Sequence, residues 1–154
     1  MQQDQERNSN YGYCSWGRLP TKDRLQRFGI ITESTCVFCP AMESIDHLFF
    51  QCKVSAAIWH RMLQWLGYSQ TVQNWNVERV WLIKELSKKG WRRLLLKMIL
   101  AETTYAIWRA RNDIVFNNTP MDQASILDQI QHIVYIRGRG YKKLQGHVES
   151  LRRN

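Results

Sequence analysis

The sequence predicts a mainly α-helical protein, in which a small cysteine–histidine knuckle of CCHC type precedes a helical bundle. Three observations predict it. Apolar residues recur at three- and four-residue spacing over long stretches, no segment alternates in the manner of a strand, and three of the four cysteines crowd between positions 36 and 52 with a histidine among them. Hydrophobic residues make up 44% of the 154, enough for a core.

The elements follow in order. The first ten residues, MQQDQERNSN, hold one apolar side chain, Met1, and cannot offset the entropy of being ordered, so residues 1–16 are expected to be a disordered tail. A cysteine-bearing segment spans 17–67. In GRLPTKDRLQRFGI, Thr21 follows Pro20 and is placed to cap a short helix that stops at Gly29. TCVFCP is a tight turn bracketed by cysteines, and in ESIDHLFFQC Ser44 is the expected cap of a helix carrying His47 towards Cys52. An amphipathic helix from about Lys53 to Leu66 follows, with Val54, Ile58, Met62 and Trp65 on one stripe and Gly67 as its stop. A helical region occupies 68–118: the polar connection YSQTVQN, then helices over Val77–Lys88 and Trp91–Phe116, separated at Gly90. Leu94, Met98, Ala101, Tyr105, Trp108 and Val115 form the expected packing stripe of the long helix. Residues 119–154 are read as a basic C-terminal helix, Met121–Ile136, and a glycine-broken basic stretch, RGRGYKK. Trp59, Trp65, Trp81 and Trp108 are assigned to the core, as is His60.

Cys36 and Cys39 stand two residues apart, so one turn presents both sulfurs to a single ion. His47 and Cys52 complete the pattern C-x2-C-x7-H-x4-C. Three thiolates and one neutral imidazole suit one tetrahedral zinc ion, and with four protein ligands no position is left for a reacting water. The expected site is therefore structural. Cys14, His132 and His147 have no ligand-like surroundings in the sequence.

The net charge is +9, unevenly spread: residues 1–52 carry five Lys/Arg against six Asp/Glu, residues 53–118 eleven against four, and residues 119–154 six against three. Two basic clusters are the expected nucleic-acid contacts: Lys84, Lys88, Lys89, Arg92 and Arg93 in KELSKKGWRR, and Arg137, Arg139, Lys142 and Lys143 in RGRGYKK, with Trp91 and Tyr141 available to stack on unpaired bases. A solvated helix face accounts for the same charges. The scattered Asp residues offer no convergent catalytic set, so no enzyme is expected. No apolar run approaches the length of a membrane span and no secretory signal is evident, so an intracellular protein, nuclear or cytoplasmic, is expected.

GRLPTKDRLQRFGI, CVFC, ESIDHLFFQC, AAIWHRMLQWLG and IWRARNDIVF together resemble the zinc-binding domain that lies downstream of the reverse transcriptase in plant LINE-type, non-LTR retrotransposons, over about Gly17 to Asn117. The resemblance implies that the metal ligands are Cys36, Cys39, His47 and Cys52, the four that the spacing selects. It matches TKDRL at Thr21 to Leu25 and IWxxRNxxxF at Ile107, Trp108, Arg111, Asn112 and Phe116. It further implies a part of a retroelement polyprotein with a nucleic-acid-binding role and with a polymerase or ribonuclease H domain as neighbour. The chain has no room for a polymerase palm and lacks a YxDD-like carboxylate pair, which implies a detached piece of an element or a small gene derived from one. A protein-interaction module and a non-functional fragment remain the alternatives.

Overall fold

The computed structural model describes residues 18–69 and 75–152; the expected tail, Cys14 and most of the 68–74 connection lie outside the described residues. Among the described residues the helices are α1 (Lys22–Arg27), α2 (Lys53–Trp65), α3 (Trp75–Ser87), α4 (Trp91–Asn117), α5 (Gln123–Arg139) and α6 (Gln145–Arg152), with a π-helical turn at His47–Gln51. No strand forms among them. One isolated antiparallel bridge joins Thr35 to Met42. The expected stops hold where glycine is needed: Gly67 after α2 and Gly90 before α4 adopt φ of +85° and +118°, which side chains with a Cβ rarely accept.

The chain divides into two units, Met1–Ala56 with Ile107–Met121, and Ala57–Ala106 with Asp122–Asn154. In the first unit Leu48, Phe49 and Phe50 of the π-helical turn are buried with Ile107, and the Phe49 ring lies 6.5 Å from that of Trp108. The Ser55 hydroxyl donates to the Leu48 carbonyl, fixing the turn to the first residues of α2. The organising group is Glu43, whose side chain is completely buried. Its carboxylate accepts from Arg111 Nη2 at 2.9 Å and Nε at 3.4 Å and from the Lys22 backbone amide at 2.8 Å, while its carbonyl accepts from the Asp23 amide at 3.2 Å. Thr21 occupies the N-cap position of α1, but its hydroxyl turns to Asp23, and the orphan amides of the first turn go to Glu43 instead.

In the second unit Ile58, Trp59, Met62 and Leu63 of α2 and Leu66 just after it are fully buried, as are Leu95, Leu96 and Ile99 of α4. Trp59 donates its indole N–H to Glu78, and Trp65 donates to the Leu151 carbonyl at 3.1 Å, so each half of the core also closes a polar contact. Trp59 is the expected core tryptophan that is fully buried; Trp65, Trp81 and Trp108 are half-buried rather than central. His60 is likewise half-buried, with Nδ1 enclosed and without a hydrogen-bond partner.

Two expectations about the helices need correction. The expected stripe of α4 lies at the edge of its packing face: Leu94 and Val115 are 37% and 40% exposed and Met98, Ala101, Tyr105 and Trp108 half-buried, whereas the buried residues are Leu95, Leu96, Ile99 and Leu100, then Glu102, Thr103, Thr104, Ile107 and Arg111. The polar groups on that buried face, from Glu102 to Arg111, are tolerated because they are mostly bonded. Thr104 donates to the Leu100 carbonyl, Glu102 pairs with Arg137, and Arg111 pairs with Glu43. The second correction concerns RGRGYKK. Gly138 does not end the helix, though Gly140 does: α5 begins with the Asp122 side chain accepting from the Ala124 amide, continues through Gly138 to Arg139 and is capped at Gly140. Gly138 is buried because α6, which the sequence reading did not anticipate, lies directly against it, and a Cβ there would collide with the Val148 side chain. The absent side chain is what permits the close approach of α6, whose buried residues are Val148 and Leu151.

Two outcomes follow for stability. Glu43→Gln leaves the Arg111 charge buried without a counter-ion, so chemical denaturation of the metal-loaded protein should show a loss of about 3–5 kcal/mol. A loss comparable to that of an exposed pair would refute the role given to Glu43. Gly138→Ala should cost about 1–3 kcal/mol through overpacking against Val148, with amide exchange in α6 rising first.

Candidate metal centre

The loop that carries Cys36 and Cys39 is closed at its base by the Thr35–Met42 bridge and by the Cys36 amide donating to the Ala41 carbonyl at 2.8 Å. Within it the Phe38 amide points at Cys36 Sγ, 3.5 Å away, an N–H···S contact that favours the thiolate. His47 arrives on the π-helical turn, whose entry is fixed by the Ser44 hydroxyl accepting from the His47 amide at 3.1 Å, as the sequence reading expected. Cys52 ends that turn and immediately precedes α2. Its extended backbone turns the chain from one helix into the next, and its sulfur meets the first amides of α2.

The four side chains converge. The three sulfurs and a His47 ring nitrogen all lie within 4.8 Å of one another, with Cys39 Sγ 3.1 Å from His47 Nε2. A tetrahedral zinc ion with its usual bond lengths separates its ligand atoms by about 3.5–3.8 Å, so only small adjustments are required. Cys36 and Cys52 are buried and the other two ligands half-buried, which shields the site from solvent. Three soft sulfurs with one imidazole nitrogen fit one zinc ion in a closed, structural site.

The thiols are poised for that role. Cys52 is pulled down to about 5, first by the hydrogen bond from the Cys36 sulfhydryl and then, against the opposing effect of burial, by the Val54 and Ser55 amides in the first turn of α2. Cys36 is pushed above the ordinary thiol range by its bond to Cys52 and by burial. One proton thus serves two sulfurs, and a divalent cation in its place stabilises all three thiolates together.

The expected nucleic-acid contacts all fall in the second unit. Lys84, Lys89, Lys142 and Lys143 are exposed. Lys88 pairs with Glu85, and Arg92 spreads over the Tyr68 and Trp91 rings, 6.0 and 5.2 Å from their centroids. Arg93 is half-buried with its Nε enclosed and unpartnered, Arg137 is held by Glu102 at 2.5 Å, and Arg139 lies 5.8 Å from the Tyr135 centroid. Trp91 stacks on His147, with centroids 3.9 Å apart and planes 9° from parallel, so one face of its indole is already taken; Tyr141 is 58% exposed. The sequence reading missed Glu43 and Arg111 as the groups that hold the knuckle's flank in place. Arg111 was visible within IWRARND, but nothing marked Glu43, 68 residues away, as its partner.

Metal analysis of the purified protein should give one zinc per chain, lost in a Cys36→Ser/Cys52→Ser double variant and retained in Cys14→Ser, since a bound structural zinc supplies folding free energy of about 10 kcal/mol or more. Stoichiometric zinc in the double variant would remove the assignment.

Comparison with curated proteins and with solved structures finds no match. Among the described residues no helix is long and apolar enough to cross a membrane. Residues 13–59, which contain all four ligands, match the family described as zinc-binding in reverse transcriptase.

Proposed function

We propose that the protein is a non-catalytic zinc-binding module derived from the reverse transcriptase polyprotein of a LINE-type, non-LTR retrotransposon of plants, and that it binds RNA or DNA with little sequence preference. The family match and the four converging ligands support the zinc module. One observation carries the nucleic-acid reading. The first unit has eight Lys/Arg against seven Asp/Glu and the second has fourteen against six, leaving +1 and +8. Three thiolates on one divalent ion contribute one further negative charge to the first unit. Metal binding and positive charge therefore reside in different units, and the zinc acts by holding its fold rather than by touching a phosphate.

The exposed cations Lys84, Lys89, Arg92, Arg139, Lys142 and Lys143 supply the contacts. Lys88 and Arg93 contribute beside them, and Arg137 contributes less because Glu102 already neutralises it. Protein interaction is the second reading, favoured by Val77, Val80 and Ile83, which are more than 60% exposed at three-residue spacing on α3. A polymerase or ribonuclease H domain of the parent element is the partner this reading names. Nuclear and cytoplasmic residence suit both.

A salt-series titration with single-stranded and duplex RNA and DNA tests the proposal. Changing Lys88, Lys89, Arg92 and Arg93 together to Gln should weaken binding to all sequences and flatten the log–log salt slope for single strands by about three, at about 0.7 per phosphate contact. No detectable binding near physiological salt, or dominance of Lys22, Arg24 and Arg27, would overturn it. Self-association unaffected by salt would favour the apolar reading instead.

A further inference from the structure

The second unit contains an open cleft of about 460 Å³ between α2, α5 and α6. Trp65, Ile136 and Leu151 form its apolar wall, and Tyr135, Arg139 and Arg152 its basic side. Among the described residues five cations sit against carboxylates: Arg27 on Asp23, Lys88 on Glu85, Arg109 on Asp113, Arg111 on Glu43 and Arg137 on Glu102. Arg139 and Arg152 do not. Both rest on one ring, with guanidinium carbons 5.8 and 5.0 Å from the Tyr135 centroid, and Arg152 Nη1 donates to the Tyr135 hydroxyl at 3.2 Å. Asp128, the one carboxylate on the lining, forms an ion pair with neither.

Two guanidinium groups are thus held by an aromatic ring without being neutralised. Holding them lowers the entropy lost when they engage a ligand, and their planar forks match the oxygens of a phosphate. The cleft is larger than inorganic phosphate requires and lies within the range of about 300–1,000 Å³ typical of small-molecule sites. Its apolar wall suits a flat ring, and Asp128, Gln131 and His132 offer donors and acceptors for the edges of a base or sugar.

We propose that this cleft binds a single nucleotide, with the phosphate on Arg139 and Arg152 and the base against Trp65, Ile136 and Leu151. The site stands apart from the polynucleotide reading, with which it shares only Arg139.

Calorimetric titration of the full-length, zinc-loaded protein with adenosine 5′-monophosphate, adenosine and inorganic phosphate tests it. The nucleotide should bind more tightly than either part, and Arg139→Gln or Arg152→Gln should each weaken it about tenfold or more, as expected for a lost charged hydrogen bond. Both side chains are exposed and lose only surface contacts to Tyr135, so neither variant should lower the unfolding midpoint by more than a few degrees. The Trp65 indole N–H resonance, assigned with Trp65→Phe, should shift on addition of the nucleotide. The Lys88/Lys89/Arg92/Arg93→Gln variant should retain full nucleotide affinity, which separates this site from general phosphate attraction. The proposal is overturned if inorganic phosphate binds as tightly as the nucleotide, if Arg152→Gln binds it unchanged, or if millimolar nucleotide gives neither heat nor a shift.

Discussion

The first unit depends on one buried ion pair. Removing a carboxylate and a guanidinium from water carries a desolvation cost that only a well-formed contact with its remaining valences filled offsets. Glu43 meets that condition by accepting from Arg111 through two nitrogens and from the opening amide of α1. The pair therefore joins three stretches far apart in sequence: the helix start in PTKDRL, the acid in ESIDHLFFQC and the arginine in IWRARND. Arg111 also lies over the Trp108 ring at 5.0 Å, and Trp108 lies beside Phe49, so the polar contact and the apolar packing share one helical face. An arrangement that separates Arg111 from Glu43 while keeping them buried would leave two uncompensated charges, which disfavours it by several kcal/mol.

The metal site is tied to that pair through the backbone. Met42 bridges to Thr35 at the base of the cysteine loop, and Glu43 is the next residue, its amide donating to the Ser34 carbonyl at 2.7 Å. On the other side, Cys52 sits where the partial positive charge at the start of α2 favours a thiolate. The knuckle is thus suspended between a buried carboxylate and a helix N-terminus. Four protein donors leave a bound ion no open position, so these elements serve to fix geometry rather than to activate water.

Much of this was legible in the sequence because the signals were local. Ligand spacing marked Cys36, Cys39, His47 and Cys52; Gly67 and Gly90 marked helix ends; and Ser44 lies three residues before the amide it receives. What failed was long-range. The buried face of α4 carries Glu102, Thr103, Thr104 and Arg111, which count as solvent-facing until their partners are known, so the apolar periodicity pointed to the adjacent face. Gly138 reads as a breaker by propensity, yet its role comes from Val148 on a helix too polar to recognise from its own residues. Thr21 illustrates the same limit on a smaller scale: its type and place were right for a cap, but the distant Glu43 took the amides, one on its carboxylate and one on its carbonyl.

Partnered and unpartnered cations distinguish structure from recognition here. Arg111 and Arg137 have side chains 3% and 32% exposed, and each meets a carboxylate that is itself almost entirely buried. Their charges are consumed within the fold, so they contribute little to the field outside it. Lys84, Lys89, Lys142 and Lys143 extend into solvent, where a mobile ammonium suits contact with phosphates of no fixed geometry. Arg139 and Arg152 belong to neither group, because their guanidinium planes are ordered on Tyr135 while their charges stay unneutralised. Ordering a cation without neutralising it adds little to stability, since exposed cation–π contacts are worth about 0.5–1 kcal/mol. That arrangement leaves the second unit a fixed pair of donors beside an apolar wall, a geometry able to select a ligand by shape as well as by charge.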